Sequence, residues 1–168
     1  MHAGPIALRP LCGLLAMLMA ACGTSELSND AEVTGRVAEA LPVDTPPPGF
    51  VAQAMWFPHS QGFGSTDASP LGHVSGVLSL AGDKLWFMAW NSPEHHYDVL
   101  QSLGLRRVIN VRVAHFGPST MLVVESWDRS FDSFELMRKG RFGSDSEATQ
   151  AVYDKIQAWR AKNGAPES

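Results

Sequence analysis

From residue 50 to residue 137, turn-forming residues interrupt the sequence so often that a helix of ordinary length does not fit between them. Asn91-Ser92-Pro93, Gly117-Pro118-Ser119 and Asp128-Arg129-Ser130 are turn clusters, and 58–72 is a long Gly/Ser/Pro loop. The segments left between them have strand length, whereas helices average about 11–12 residues. Several also alternate. Val74, Gly76, Leu78 and Leu80 share one face of 73–80, and Ile109, Val111 and Val113 share one face of 108–116. Ala81-Gly82-Asp83 joins 73–80 to 84–90 as a hairpin. Strands are expected at 50–57, 73–80, 84–90, 97–100, 108–116, 121–127 and 131–137, with 101–105 unassigned.

One helix pattern follows. Ala148, Val152, Ile156 and Trp159 form a single apolar stripe. Ser144 with Glu147 fits a capping box, Arg160 and Lys162 suit the last turn, and Gly164 suits the stop. The fold class is therefore mainly β with one C-terminal α-helix.

Seven antiparallel strands followed by one helix resemble the PH-like superfold, in particular GRAM-type domains and their bacterial relatives. Residues 76–80, the turn 81–84, Leu85-Trp86-Phe87, the stretch 103–113 and Trp159 carry the likeness, which spans about 50–162. The resemblance implies a seven-stranded bent barrel capped by the helix, with Trp159 in its core. Phosphoinositide-binding PH domains place Lys and Arg in and beside their first hairpin loop. Loop 58–72 has neither, which argues against that recognition.

The N-terminus has a separate logic. Arg9 is the only charge in the first ten residues, and an apolar run fills 11–21. That run is shorter than the roughly 20 residues a membrane span needs and matches a signal-peptide core. Leu18-Met19-Ala20-Ala21-Cys22 resembles the bacterial lipobox, with Met19 where Leu is usual. The resemblance implies cleavage before Cys22, lipid on its thiol and a membrane anchor. Gly23 is not the aspartate that favours inner-membrane retention, which implies the outer membrane, facing the periplasm. Cys12 would leave with the signal, so neither a disulfide nor a thiol nucleophile would remain.

Three regions are expected: a signal at 1–21, an acidic tether at 22–48, and a domain at 49–168. The tether holds five acids against Arg36 and ends in Thr45-Pro46-Pro47-Pro48. Its composition predicts disorder, with at most a transient helix over 31–41 that Gly35 weakens. The net charge of −4 then falls almost wholly on the tether, since 49–168 carries twelve acids and eleven bases. The acidic balance gives no support to general nucleic-acid binding, which needs a strongly basic stripe, and a near-neutral domain is not expected to be drawn in bulk to an anionic membrane surface.

The strand at 84–90 is apolar on both faces. Trp86, Met88 and Trp90 form one ridge, and Leu85, Phe87 and Ala89 the other side. Two outcomes are open: the ridge is exposed and binds a partner, or loop 58–72 or the prolines at 46–48 cover it. Arg106, Arg107 and Arg112, and separately Arg138, Lys139 and Arg141, are candidate contacts for anionic headgroups or acidic partners, or plain solvated charge. Glu94, His95, His96 and His115 lack metal-ligand spacing, so no metal site and no cofactor are expected. No nucleophile elbow or phosphate-cradling loop occurs, and the chain is read as a non-enzyme. The expected function is a membrane-anchored module for protein or peptide recognition. The alternative is a carrier of a small apolar ligand or lipid, and a hydrolase is third.

Overall fold

The computed structural model describes residues 30–58, 72–140 and 143–164. The signal region, Cys22, most of loop 58–72 and Arg141 lie outside the described residues. In chain order the elements are α1 (Asp30–Ala40), β1 (Phe50–Phe57), β2 (Val74–Ala81), β3 (Lys84–Asn91), β4 (His96–Gly104), β5 (Val108–Phe116), β6 (Ser119–Ser126), β7 (Phe131–Leu136) and α2 (Ser146–Asn163). A 3₁₀ turn at Leu105–Arg107 links β4 to β5.

All seven strands form one antiparallel sheet in the order β4-β3-β2-β1-β7-β6-β5. β1 joins the two halves, pairing with β2 along most of its length and with β7 over Ala54–Phe57. The sheet bends around a core of Phe87, Phe134, Leu78, Leu122, Leu136 and their neighbours. Trp56 and Phe87 approach to 5.3 Å between ring centroids, and Phe87 and Phe134 to 6.0 Å. Inside the barrel, the Trp56 indole N–H donates to one Asp132 carboxylate oxygen at 2.8 Å and Gln101 donates to the other at 3.3 Å. Asp132 is thereby buried with both oxygens satisfied.

α2 packs Val152 and Ile156, both fully buried, into the same core, with Ala148 and Trp159 against its margin. Its cap lies one residue later than the sequence pattern suggests. Asp145 is the N-cap, accepting from the Ala148 N–H at 2.9 Å. Ser144 is occupied elsewhere: it accepts from the Thr120 N–H and donates to the Pro118 carbonyl, tying the helix entry to the β5–β6 turn. Gly164 closes the helix as expected, donating to the Arg160 carbonyl.

Two further sequence expectations change. β4 runs to Gly104, well past the short strand at 97–100. The segment assigned to a disordered tether is structured from Asp30: α1 buries Val33 and Val37, and Leu41 just beyond it is buried too. Composition misled because it counts acids and ignores their placement. Val33, Val37 and Leu41 recur at four-residue intervals, one helical stripe, while Glu32, Arg36 and Glu39 are exposed. Residues 22–29 of the expected tether lie outside the described residues.

Both edge strands carry an irregularity. Phe87 pairs with Gln101 and Met88 with Val99, leaving Leu100 of β4 without a cross-strand partner. In β5 the pairing passes from Val108 to Asn110, leaving Ile109 unpaired; Arg160 donates to its carbonyl at 3.1 Å. The strand next to the first bulge tolerates no side chain at Gly76. A Cβ there would lie 2.1 Å from the Met88 carbonyl oxygen and 2.8 Å from the Phe87 ring. Gly76→Ala is expected to cost about 1–3 kcal/mol through overpacking, read as a lower urea midpoint at unchanged slope.

Candidate functional site

The alternation of β3 sends its two side-chain sets to opposite destinations. Leu85 and Phe87 enter the barrel core, whereas Trp86 and Met88 join a second cluster on the outer surface of the β2–β3–β4 half-sheet. Cross-strand register completes that face: Met88 pairs with Val77, Trp86 with Ser79, and Trp90 with Tyr97. Ala81 adds to it, with Val51 packed at its margin.

The predicted ridge is therefore assembled, but it is covered. Met88 is 0% and Trp86 6% exposed, and Trp90 is partly buried. Among the described residues the cover is α1, whose Val33 and Val37, with Leu41 just beyond it, lie on the ridge; most of loop 58–72 lies outside the described residues. Pro46 sits beside Gly82 at the β2–β3 turn. The Arg36 guanidinium stands 5.0 Å over the Trp90 ring, and Tyr97 meets Trp90 edge-on at 5.1 Å. Lys84 stands over Trp86 at 5.3 Å, and the Trp86 indole donates to the Ala81 carbonyl at 3.3 Å. Burial pushes the Tyr97 hydroxyl above its ordinary range, and Arg36 opposes that shift.

The energetics of this contact are mixed. Burying each branched apolar side chain contributes about 1.5–3 kcal/mol, and the Arg36–Trp90 stack about 0.5–1 kcal/mol. Against them, Gly35 in the middle of the helix costs about 1 kcal/mol relative to alanine. On the same face Ser79, fully buried, has a hydroxyl oxygen with no hydrogen-bond partner among the described residues. A stranded group of that kind costs about 1–3 kcal/mol.

The candidate cations do not form one patch. Arg106 and Arg107 lie in the 3₁₀ turn, while Arg112 is on β5, roughly 13 Å past the start of that strand at strand spacing. Arg138 and Lys139 follow β7, where the Arg138 N–H donates to the Gly143 carbonyl. Arg107 instead meets an aromatic that the sequence placed at the end of the strand expected at 121–127. Trp127 lies beyond β6, 54% exposed, with the Arg107 guanidinium 5.3 Å over its ring. Asp128, held below its usual range by hydrogen bonds from Ser130, follows it in the turn. The signal was present in Trp127-Asp128-Arg129-Ser130, where turn chemistry begins immediately after the tryptophan.

His95 and His96 have separate partners. The His95 ring faces Trp90 at 6.4 Å, and His96 meets Asp98 at 2.8 Å. Asn91 donates to the other Asp98 oxygen at 2.8 Å. His115 lies across from Thr120 at 3.2 Å.

No family model matches the chain, and no curated protein matches it. Solved structures do. The chain is similar to the hSac2 domain of the human phosphoinositide phosphatase Sac2, at 12% identity and a TM-score of 0.51, with 82% of this chain and 87% of that one covered. It is also similar to Vav1 inhibited by an allosteric inhibitor, at 11% identity and a TM-score of 0.49 over 79% of this chain. There it spans 34% of the other chain's length. At these identities the likeness concerns architecture: the fold is PH-like, mainly β, with seven strands and a C-terminal helix.

The Asp98 hydrogen bond, the larger influence, raises the His96 pKa above its ordinary value of 6.5. Protonated His96 is thus favoured in the folded state. Its contribution to stability is fully present below pH 6.5 and lost as pH rises through the folded value. Asp98→Asn is expected to lower the His96 midpoint, measured by NMR titration of the ring protons.

Proposed function

We propose that this chain is a membrane-anchored recognition module, tethered through lipidated Cys22 in a bacterial cell envelope and engaging a protein or peptide partner. The observation that supports recognition is the outer face of β2–β3–β4, which holds an amphipathic helix against Trp86, Met88 and Trp90. A surface that seats one such helix has the shape and polarity for helix recognition, a recurrent binding mode. The barrel interior offers less: Phe87, Phe134, Leu78 and Leu122 fill it, which disfavours the reading as a carrier. Catalysis and nucleic acid have no part in this reading. Anchoring is supported by Leu18-Met19-Ala20-Ala21-Cys22 after an apolar run. The outer membrane, facing the periplasm, is the proposed location because Gly23 follows that cysteine.

Three measurements test the reading. Cys22→Ala should move the protein from the membrane to the soluble fraction and remove the mass of the lipid. Retention in the membrane at unchanged mass would refute the anchor. Palmitate and phospholipid should leave tryptophan fluorescence unchanged; a saturable response would favour the carrier. A photo-crosslinker replacing exposed Lys84, at the rim of the aromatic face, should give a discrete adduct with another protein in cells. One replacing exposed Lys155 on α2 should not. Loss of that contrast would count against recognition at this face.

A further inference from the structure

The two helices are held in different ways. α2 has 18 residues, a side-chain N-cap, a glycine stop and two fully buried residues in the main core. α1 has 11 residues, with Gly35 at its centre and β-branched Val33, Thr34 and Val37 around it. A helix that short and that rich in weak formers does not persist alone in water. Its order depends on docking, so it folds onto the sheet and melts off it as one event. On the same outer face, beside Trp86, the buried Ser79 hydroxyl has no hydrogen-bond partner among the described residues.

We infer that α1 is a removable strap that fills a helix-docking site in cis, and that the site's partner is an amphipathic helix of another protein. That helix would carry branched apolar residues on three successive turns, as Val33, Val37 and Leu41 do. It would also carry a cation placed to stack on Trp90, as Arg36 does. A partner able to hydrogen-bond Ser79 would make a contact that α1 does not make. The inference rests on the recognition reading of this face and adds its partner class and its regulation.

The test uses the full chain and a labelled synthetic peptide of residues 28–43, so neither a membrane nor a natural partner is required. Gly35 is exposed, and a Cβ there would meet nothing within 4 Å, so substitutions at 35 act on α1 alone. Gly35→Pro should break the strap and raise peptide affinity at least ten-fold over the unmodified chain. Gly35→Ala should slow α1 amide exchange about five-fold and weaken peptide binding. Adding Trp90→Ala to Gly35→Pro should abolish the gain.

Equal peptide affinity for the unmodified and Gly35→Pro chains would overturn the strap while leaving the recognition face standing. Absence of binding to the Gly35→Pro chain would overturn the helix-docking site itself. Concentration-dependent dimerisation of the Gly35→Pro chain, lost with Val37→Asp, would overturn the foreign helix in favour of a second copy of this chain. Should Gly35→Pro fail to fold, hydrogen exchange on the unmodified chain decides. α1 amides are expected to exchange at least ten-fold faster than those of β3 and α2, and equal protection would overturn the inference.

Discussion

Everything in this fold follows from a strand that is apolar on both sides. β3 needs cover above and below, because neither Leu85 and Phe87 nor Trp86 and Met88 can be left to water without large loss. The bent sheet supplies one cover: β1, pairing with both β2 and β7, joins its halves so that Phe87 lies between Trp56 and Phe134. The chain ahead of β1 supplies the other through α1. One core belongs to the barrel and its helix, and the second is built from a sheet face and a segment that would have no structure without it.

That division explains which parts were legible in the sequence. Strand positions, hairpin turns and the stripe on α2 depend on local periodicity, which survives in a one-dimensional pattern. The covered ridge does not. Its alternation on β3 was readable, but the identity of the cover depended on where a remote segment returns in space. Three residues, Val33, Val37 and Leu41, carried that information inside a stretch dominated by acids. Trp127 failed for the opposite reason: a large aromatic at the end of an apolar run looks buried, but the turn begins one residue too soon to keep it in the sheet. Ser144 fitted a capping box, yet its bonds to Thr120 and Pro118 left the cap to Asp145.

The cations show how charge in a sequence differs from charge in a structure. Arg106, Arg107 and Arg112 are close in number but are divided between a 3₁₀ turn and a strand. Arg36, counted first as the lone base of an acidic tether, becomes a contact of the aromatic face and pairs with Glu32 at 2.7 Å. Lys84 and Arg107 likewise stand over tryptophans. In each case a planar ring turns a solvated charge into a directional contact.

The unpaired residues of β4 and β5 bear on how copies of this protein tolerate one another. An open sheet ends in two rows of backbone donors and acceptors that invite a neighbour's strand. Here each outer strand is interrupted, at Leu100 and at Ile109, and Arg160 already occupies the Ile109 carbonyl. A second molecule laid along either edge would lose register at the interruption. Such spoiled edges let a sheet protein be crowded on a surface without zipping into fibres, leaving side chains to decide its contacts.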